Sequence, residues 1–347
     1  MARTLSTRFR RPSAILLALA LIAVGVRTYL QSDVTGLVGT GTGPSTIVYI
    51  KPKTSVQEIA QTLREAGVIQ SRWLFLALAY LEGSLTRLHA GEYEFPRGTS
   101  LLEILRKLEG GKVVTHQVTI PEGFTVQDIA RLLAGEHLVD ADRFTSLATE
   151  ASFARSVDVP ADSLEGYLFP DTYRLTRGMG EEEILRLMVA RFRLAVSKDM
   201  EERAQQLGLD LHSVITLASL IEKEARLNSE RPLVAAVFYN RLHRNMPLQS
   251  DPTAVYGAVD PPHKITSQDL RRQSPYNTYL NPGLPPGPIA NPGMASIAAA
   301  LNPAHVNFLY FVAKNDGSHF FSRTLEEHAQ AVRKYHMRSE DSSDSGS

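Results

Sequence analysis

The chain contains no cysteine, which removes disulfides, thiolate zinc sites, iron–sulfur clusters and a cysteine nucleophile together. It has no excess of either charge: 37 Lys and Arg face 37 Asp and Glu among 347 residues. Without a basic surplus there is no electrostatic footprint for neutralising phosphates, and no nucleic-acid partner is expected. The HExxH, G-x-S-x-G and Walker-lysine signatures are missing, and the 10 histidines are scattered without ligand spacing. No metal and no cofactor are therefore expected. What is present in quantity is apolar: 43% of residues are hydrophobic. That composition excludes global disorder, and the length suits about two domains of roughly 150 residues, each with its own core.

Arg3, Arg8, Arg10 and Arg11 precede an apolar run from Ser13 to Val26, after which come Arg27, Tyr29 and Leu30. The run is shorter than the about 20 helical residues that cross a hydrocarbon core. Extending it to Leu30, with Arg27 snorkelling and Tyr29 among the headgroups, nearly restores the length. A cleaved signal peptide has the same charge pattern, but no small-x-small site follows. Residues 1–30 are accordingly read as a basic cytoplasmic flank and a retained single-pass transmembrane helix, touching membrane lipid through residues 13–30. The positive-inside rule puts this anchor in the inner (plasma) membrane with the remainder periplasmic or extracytoplasmic. The glycines of residues 31–45 have no strand before them or helix straight after them, so they form a flexible linker, not a phosphate loop. The polar, acidic residues 338–347 read as a disordered tail.

A short pattern recurs three times, at Ile50–Ala60, Phe95–Leu105 and Ile120–Ala130. Each copy is a strand end, a turn and a helix start. Ser55 with Glu58, Ser100 with Glu103 and Thr125 with Asp128 have the spacing of capping boxes, in which each side chain satisfies the other's backbone N–H. The unequal distances between copies exclude a solenoid. Residues 46–115 read as strand, two helices, strand and helix, an outline similar to a LysM-like α/β module. Residues 116–337 form a larger α+β domain with strands at Val113–Ile120 and Phe308–Ala313, so the fold class is α+β.

The candidate chemistry lies in that second domain. Leu211–Leu227 has the periodicity of an amphipathic helix, with Val214, Leu217, Ala218, Leu220 and Ile221 on one face. Continuing at about 100° per residue places Glu224 on the same face, whereas Glu222 turns away toward the flank or solvent. A carboxyl group on an apolar stripe loses hydration, its pKa rises, and it suits general acid catalysis. The alternative is a structural acid paired with Arg226 or Arg241. Downstream, Leu248-Gln249-Ser250-Asp251-Pro252-Thr253, Ser274-Pro275-Tyr276-Asn277-Thr278-Tyr279 and Gly283-Leu284-Pro285-Pro286-Gly287-Pro288-Ile289 are loops rich in amides, hydroxyls, tyrosine and proline. Such groups bond the hydroxyls and N-acetyl groups of a sugar polymer and pack on pyranose faces.

These loops, with Leu164-Glu165-Gly166-Tyr167-Leu168-Phe169-Pro170-Asp171-Thr172-Tyr173, Ile221-Glu222-Lys223-Glu224 and Phe238-Tyr239-Asn240-Arg241-Leu242, closely resemble the YceG-like endolytic murein transglycosylase family. The resemblance implies cleavage of the β-1,4 bond between N-acetylmuramic acid and N-acetylglucosamine within peptidoglycan glycan strands, leaving 1,6-anhydro ends. It implies that Glu224 is the catalytic acid and that the enzyme works beside glycan polymerases, the penicillin-binding proteins. Gln249, Asp251, Thr253, Tyr276, Asn277, Thr278 and Asn240 are then candidates for holding sugar, with Glu222, Glu165 and Asp171 as second choices. Two rivals remain: a non-catalytic peptidoglycan-binding scaffold, and a hydrolytic muramidase using Asp251 as a second carboxylate.

Overall fold

The computed structural model describes residues 44–258, 265–314 and 316–341. The expected anchor at 13–30, nearly all of the linker and the end of the tail lie outside the described residues. Among the described residues no helix is long and apolar enough to cross a membrane. The chain divides into two compact units, Met1–His116 with Arg174–Gly178, and Gln117–Tyr173 with Met179–Ser347.

In the first unit, strand β1 (Thr46–Ile50) runs antiparallel to β2 (Gly91–Phe95), with Thr46 opposite Phe95 and Ile50 opposite Gly91. Helices α1 (Val56–Glu65) and α2 (Arg72–Leu81) lie between the strands in sequence, and α3 (Leu101–Glu109) follows. Both expected capping boxes form here: Ser55 and Glu58 at α1, and Ser100 and Glu103 at α3, exchange side-chain and backbone bonds. Each box satisfies two N–H groups that a helix start leaves without partners. The helices bury Ile59 and Leu63 of α1, Phe75 and Leu78 of α2, and Ile104, Leu105 and Leu108 of α3 in one cluster with Tyr93 and Phe95 of β2. Gly91 is required at its position. Its φ is +140°, and an added Cβ would stand 2.4 Å from Val113 Cγ1.

The second unit is mostly helical. It takes up the chain within β3 (His116–Thr119), runs through α4 (Val126–Gly135), α5 (Ala141–Ala148) and α6 (Ala151–Ser156) to the first half of β4 (Thr172–Leu175), and resumes at Met179. It continues with α7 (Glu181–Ala195), α8 (Lys198–Gln206), α9 (Leu211–Glu224), α10 (Arg231–His243) and the short α11 (Asp251–Val255). A 3₁₀ turn (Asp269–Arg271), α12 (Met294–Leu301), β5 (Tyr310–Ala313), β6 (His319–Ser322) and α13 (Leu325–Asp341) complete it. The strands pair only two by two, β3 with β4 and β5 with β6. With helices beside such small sheets, the fold class is α+β.

The third capping box, Thr125 with Asp128, starts α4. Helix α9 is the axis of this unit: every residue from Val214 to Ile221 is buried, against α10 on one side and α12 on another. Its two buried hydroxyls are satisfied within the helix, Thr216 Oγ1 donating to the His212 carbonyl and Ser219 Oγ to that of Thr216.

Several boundaries differ from those the sequence suggests. The strands expected over Val113–Ile120 and Phe308–Ala313 are the shorter β3 and β5, and α13 carries helix through residues 338–341, which the sequence assigned to the tail. Helix α9 stops at Glu224, not Leu227, because Ala225 turns to extended backbone at φ −93° and ψ 116°.

Candidate active site

The early stop places Glu224 on the last helical residue of α9, and the loop before α11 closes on it. Ser250 Oγ donates to Glu224 Oε1 at 2.5 Å. Burial raises the Glu224 carboxyl to about 7, the Ser250 bond pulls it down, and neighbouring Asp251 pushes it up again. The carbonyl end of the α9 dipole acts in the same direction as burial, since partial negative charge there disfavours a carboxylate. Of the two cations considered as partners, Arg226 is exposed. Arg241 is buried, and its guanidinium donates to the carbonyls of Leu309 at 2.7 Å and Leu248 at 2.8 Å instead of to Glu224. Glu224 is therefore a desolvated acid with a hydrogen-bond donor, not half of an ion pair.

Ser250, which is not among the candidates the sequence offers for holding sugar, is the residue that touches the acid. It is buried, and a chain of hydroxyls fixes it. Its N–H donates to Thr278 Oγ1 at 3.0 Å, Thr253 Oγ1 donates to its carbonyl at 2.6 Å, and the two threonine hydroxyls lie 2.8 Å apart. Because the hydrogen of Thr253 is committed to Ser250, Thr278 must be the donor between the threonines. Gln249, just before, has φ 51°, a left-handed conformation that a non-glycine residue adopts at some energetic cost. Its N–H donates to the Thr278 carbonyl at 3.2 Å, while its exposed side chain accepts from Arg241 at 3.4 Å. The sequence does carry a signal for Ser250, which stands between the candidates Gln249 and Asp251.

The remaining residues fall into distinct groups. Asp251 is exposed, and the Tyr279 hydroxyl donates to it. Tyr276 packs its ring on Tyr256, with centroids 4.7 Å apart. Asn277 is fully buried and spends its amide on the chain itself, donating to the carbonyls of Leu270 and Arg272 and accepting from the Tyr279 N–H. Asn240 does likewise with the carbonyls of Val306 and Phe308, at 2.8 and 2.9 Å. Their amides build the loops. The third loop is tied to α9 as well, through Ser219 Oγ accepting from the Ile289 N–H at 3.0 Å and His212 Nε2 meeting the Pro286 carbonyl at 3.0 Å. Gly166, in the upstream Leu164–Tyr173 stretch, meets the same loop: at φ +88°, a Cβ there would come within 2.5 Å of Pro288.

Of the two places the wheel allows Glu222, flank or solvent, it takes the flank, and is covered there. Its side chain is 6% exposed and bonds Arg231, itself 8% exposed, at 2.9 Å. Glu222 also accepts from the Gly293 N–H at 3.0 Å. The flank is where periodicity puts it, but that flank is covered by the starts of α10 and α12, which supply Arg231 and the Gly293 N–H. Glu165 is buried too, accepting from the Val126 N–H, from Asn291 Nδ2 at 2.9 Å and from the Tyr256 hydroxyl at 3.1 Å. Burial raises it to about 7 against those hydrogen bonds. Asp171 is held below the usual carboxylate range by Arg191 and the Thr172 N–H. Among the described residues no group of three or more His, Cys, Asp or Glu could hold a metal ion.

The chain is similar to known proteins along most of its length. The model of the YceG-like family matches residues 48–334. An endolytic murein transglycosylase of Bacillus subtilis is 36% identical over 307 residues, covering 83% of this chain and 84% of that protein. One from Streptococcus pneumoniae is 32% identical over 326 residues, and there the match spans only 58% of the relative's length. A crystal structure of a YceG-like protein from Listeria monocytogenes superposes with a TM-score of 0.58 at 34% identity, covering 82% of this chain and 98% of that one. A family match over most of the chain, with relatives this similar along the same stretch, makes the chain a member of the YceG-like family.

Proposed function

We propose that this protein is an endolytic lytic transglycosylase of peptidoglycan, cutting the β-1,4 bond between N-acetylmuramic acid and N-acetylglucosamine inside glycan strands, with Glu224 as its catalytic acid. The observation that carries the reading is the state of that one side chain: desolvated and raised to about 7 although the nearby Arg241 charge and the Ser250 hydrogen bond both pull it down, and held by a buried serine instead of a salt bridge. The names of the Bacillus and Streptococcus relatives support the activity and the murein substrate.

A lone acid suffices for this reaction. Ordinary glycosidases employ two carboxylates, one to protonate the leaving oxygen and one to attack or activate water. Here Glu224 delivers its proton to the glycosidic oxygen as the C1–O bond breaks, its electron pair going to that oxygen. The C6 hydroxyl oxygen of the muramyl unit then bonds to C1, and its proton passes to the Glu224 carboxylate, restoring the acid. No water is consumed. Asp251, with Tyr279 behind it, faces the positive charge that develops at C1, while Gln249 and Tyr276 contact sugar. Thr253, Thr278, Asn277 and Asn240 hold those groups in place.

Asp251 also favours a second reading, because a carboxylate beside Glu224 is what a hydrolytic muramidase needs. Mass analysis of products decides between them. Peptidoglycan digested with the full-length chain should yield 1,6-anhydro ends, and none should form with Glu224→Gln. Reducing ends would establish the hydrolase, and undiminished cutting by Glu224→Gln would overturn the assignment. The same reading has residues 46–115 forming a LysM-like module, residues 13–30 holding the enzyme to inner-membrane lipid with its working domain outside the cytoplasm, and glycan-polymerising penicillin-binding proteins as neighbours.

A further inference from the structure

Glu165 has no part in the reaction above, yet it lines the wall of a cavity of about 800 Å³ in the second unit, bounded by α4, α5 and α11. The volume lies within the range of small-molecule sites, roughly 300–1,000 Å³. Its wall is continuous along the chain with the acid: Lys223 immediately precedes Glu224, and Pro252 follows the Ser250–Asp251 pair. Glu224 itself does not line the cavity, but through Lys223 and Pro252 the cavity lies within one or two residues of the acid and of the Ser250 that bonds it, near enough for a polymer that extends past Glu224 to reach it.

The lining selects the chemistry of the occupant. Glu165, Asp128 and Asp142 oppose Arg131 and Lys223, so the cavity offers no net positive charge to a phosphate or carboxylate. Arg131 is moreover engaged by Asp128 at 2.6 Å. Val126, Val255, Ile289 and the Tyr256 ring supply apolar surface, and Thr145 and Thr149 supply hydroxyls. A neutral ligand with many hydroxyls, one hydrocarbon face and a small apolar substituent matches that set, which describes an acetamido sugar. Tyr256 provides the specific contact. Its hydroxyl donates to Glu165 when that acid is ionised. When Glu165 holds its proton, the acid donates to the tyrosine oxygen, and the tyrosine hydrogen turns to an incoming carbonyl. Burial raises Glu165 to about 7, so the protonated form is populated at neutral pH.

We propose that this cavity is a sugar subsite that holds an N-acetylhexosamine of the glycan strand next to the pair being cleaved, with the Tyr256 hydroxyl bonding its acetyl carbonyl. The inference rests on the reading of the protein as a peptidoglycan-cleaving enzyme and adds where the strand lies and which substituent is read.

Binding tests it without cutting. Full-length Glu224→Gln protein is titrated with the β-1,4 tetramer of N-acetylglucosamine and with the de-N-acetylated tetramer. Val255→Trp, which fills the cavity, should weaken the acetylated tetramer by about tenfold or more. Tyr256→Phe, which deletes one oxygen, should weaken it by roughly 3- to 10-fold. The de-N-acetylated tetramer should bind weakly and be indifferent to Tyr256→Phe. If circular dichroism shows Val255→Trp unfolded, Tyr256→Phe decides alone, and unchanged affinity for the acetylated tetramer overturns the subsite. That result, together with anhydro products from the wild-type chain, would leave the reaction standing. Tetramer binding that these variants weaken, with no cutting by the wild-type chain, would do the reverse.

Discussion

Two acids in one unit, half-buried Glu224 and buried Glu165, are both raised to about 7 by the same cause, loss of water. Their surroundings differ in what their oxygens are doing. Glu165 accepts from a backbone N–H, an asparagine and a tyrosine, and so pins the first turn of α4 to the Asn291 loop and to Tyr256. Glu224 has one donor, Ser250, on one oxygen. A perturbed carboxyl marks a candidate, but an oxygen left free to exchange a proton with a ligand marks the acid catalyst.

The comparison can be broken or sharpened by substitution, beginning with the largest effect. Glu224→Gln keeps the shape and removes the proton, and should lower kcat by roughly 10²–10⁴-fold or more. Glu165→Gln, assayed the same way, should keep most of kcat; loss equal to that of Glu224→Gln would erase the distinction. Activity of the wild-type chain should fall as pH rises through about 7, where Glu224 loses the proton the first step requires. Ser250→Ala comes next, with kcat reduced about tenfold. Because the serine bond lowers the Glu224 pKa, the alkaline limb of the rate profile should move to higher pH in this variant; an unmoved limb would show that Ser250 only packs.

The next effect is on stability. Glu222→Ala leaves buried Arg231 with only the more distant, half-exposed Glu122 carboxylate at 3.7 Å and should cost roughly 3 kcal/mol in chemical denaturation, as breaking buried pairs does. Smallest is the pH dependence at Glu165. A carboxyl raised from 4.5 to about 7 on folding gives its full stability below pH 4.5 and loses it as pH climbs through about 7. Wild-type melting temperature should therefore drop between pH 5 and pH 8, and Glu165→Gln, which mimics the neutral acid, should flatten part of that drop, on the order of 1–2 kcal/mol.

Local patterns carried far in this chain. The three capping boxes, the apolar stripes of α1, α3 and α9, and the strand at Gly91–Phe95 follow from residues within a few positions of one another, where backbone sterics and periodicity act directly. Glu224 was reachable in the same way, because 100° per residue places it on the stripe of its own helix. Asn277 and Asn240 were legible as important amides but not as structural ones, since the carbonyls they satisfy are contributed by distant or irregular segments.

By itself the sequence determined the α+β class, the family and the helix that carries the acid, all of which depend on short-range spacing or on ordered motifs. Only the tertiary structure decided that Glu222 is buried against Arg231, that Ser250 holds Glu224 and that Glu165 lines a cavity. Each depends on groups between 9 and 126 residues apart in the chain. Helical periodicity tells which way a side chain points, but not what the rest of the fold puts in its path.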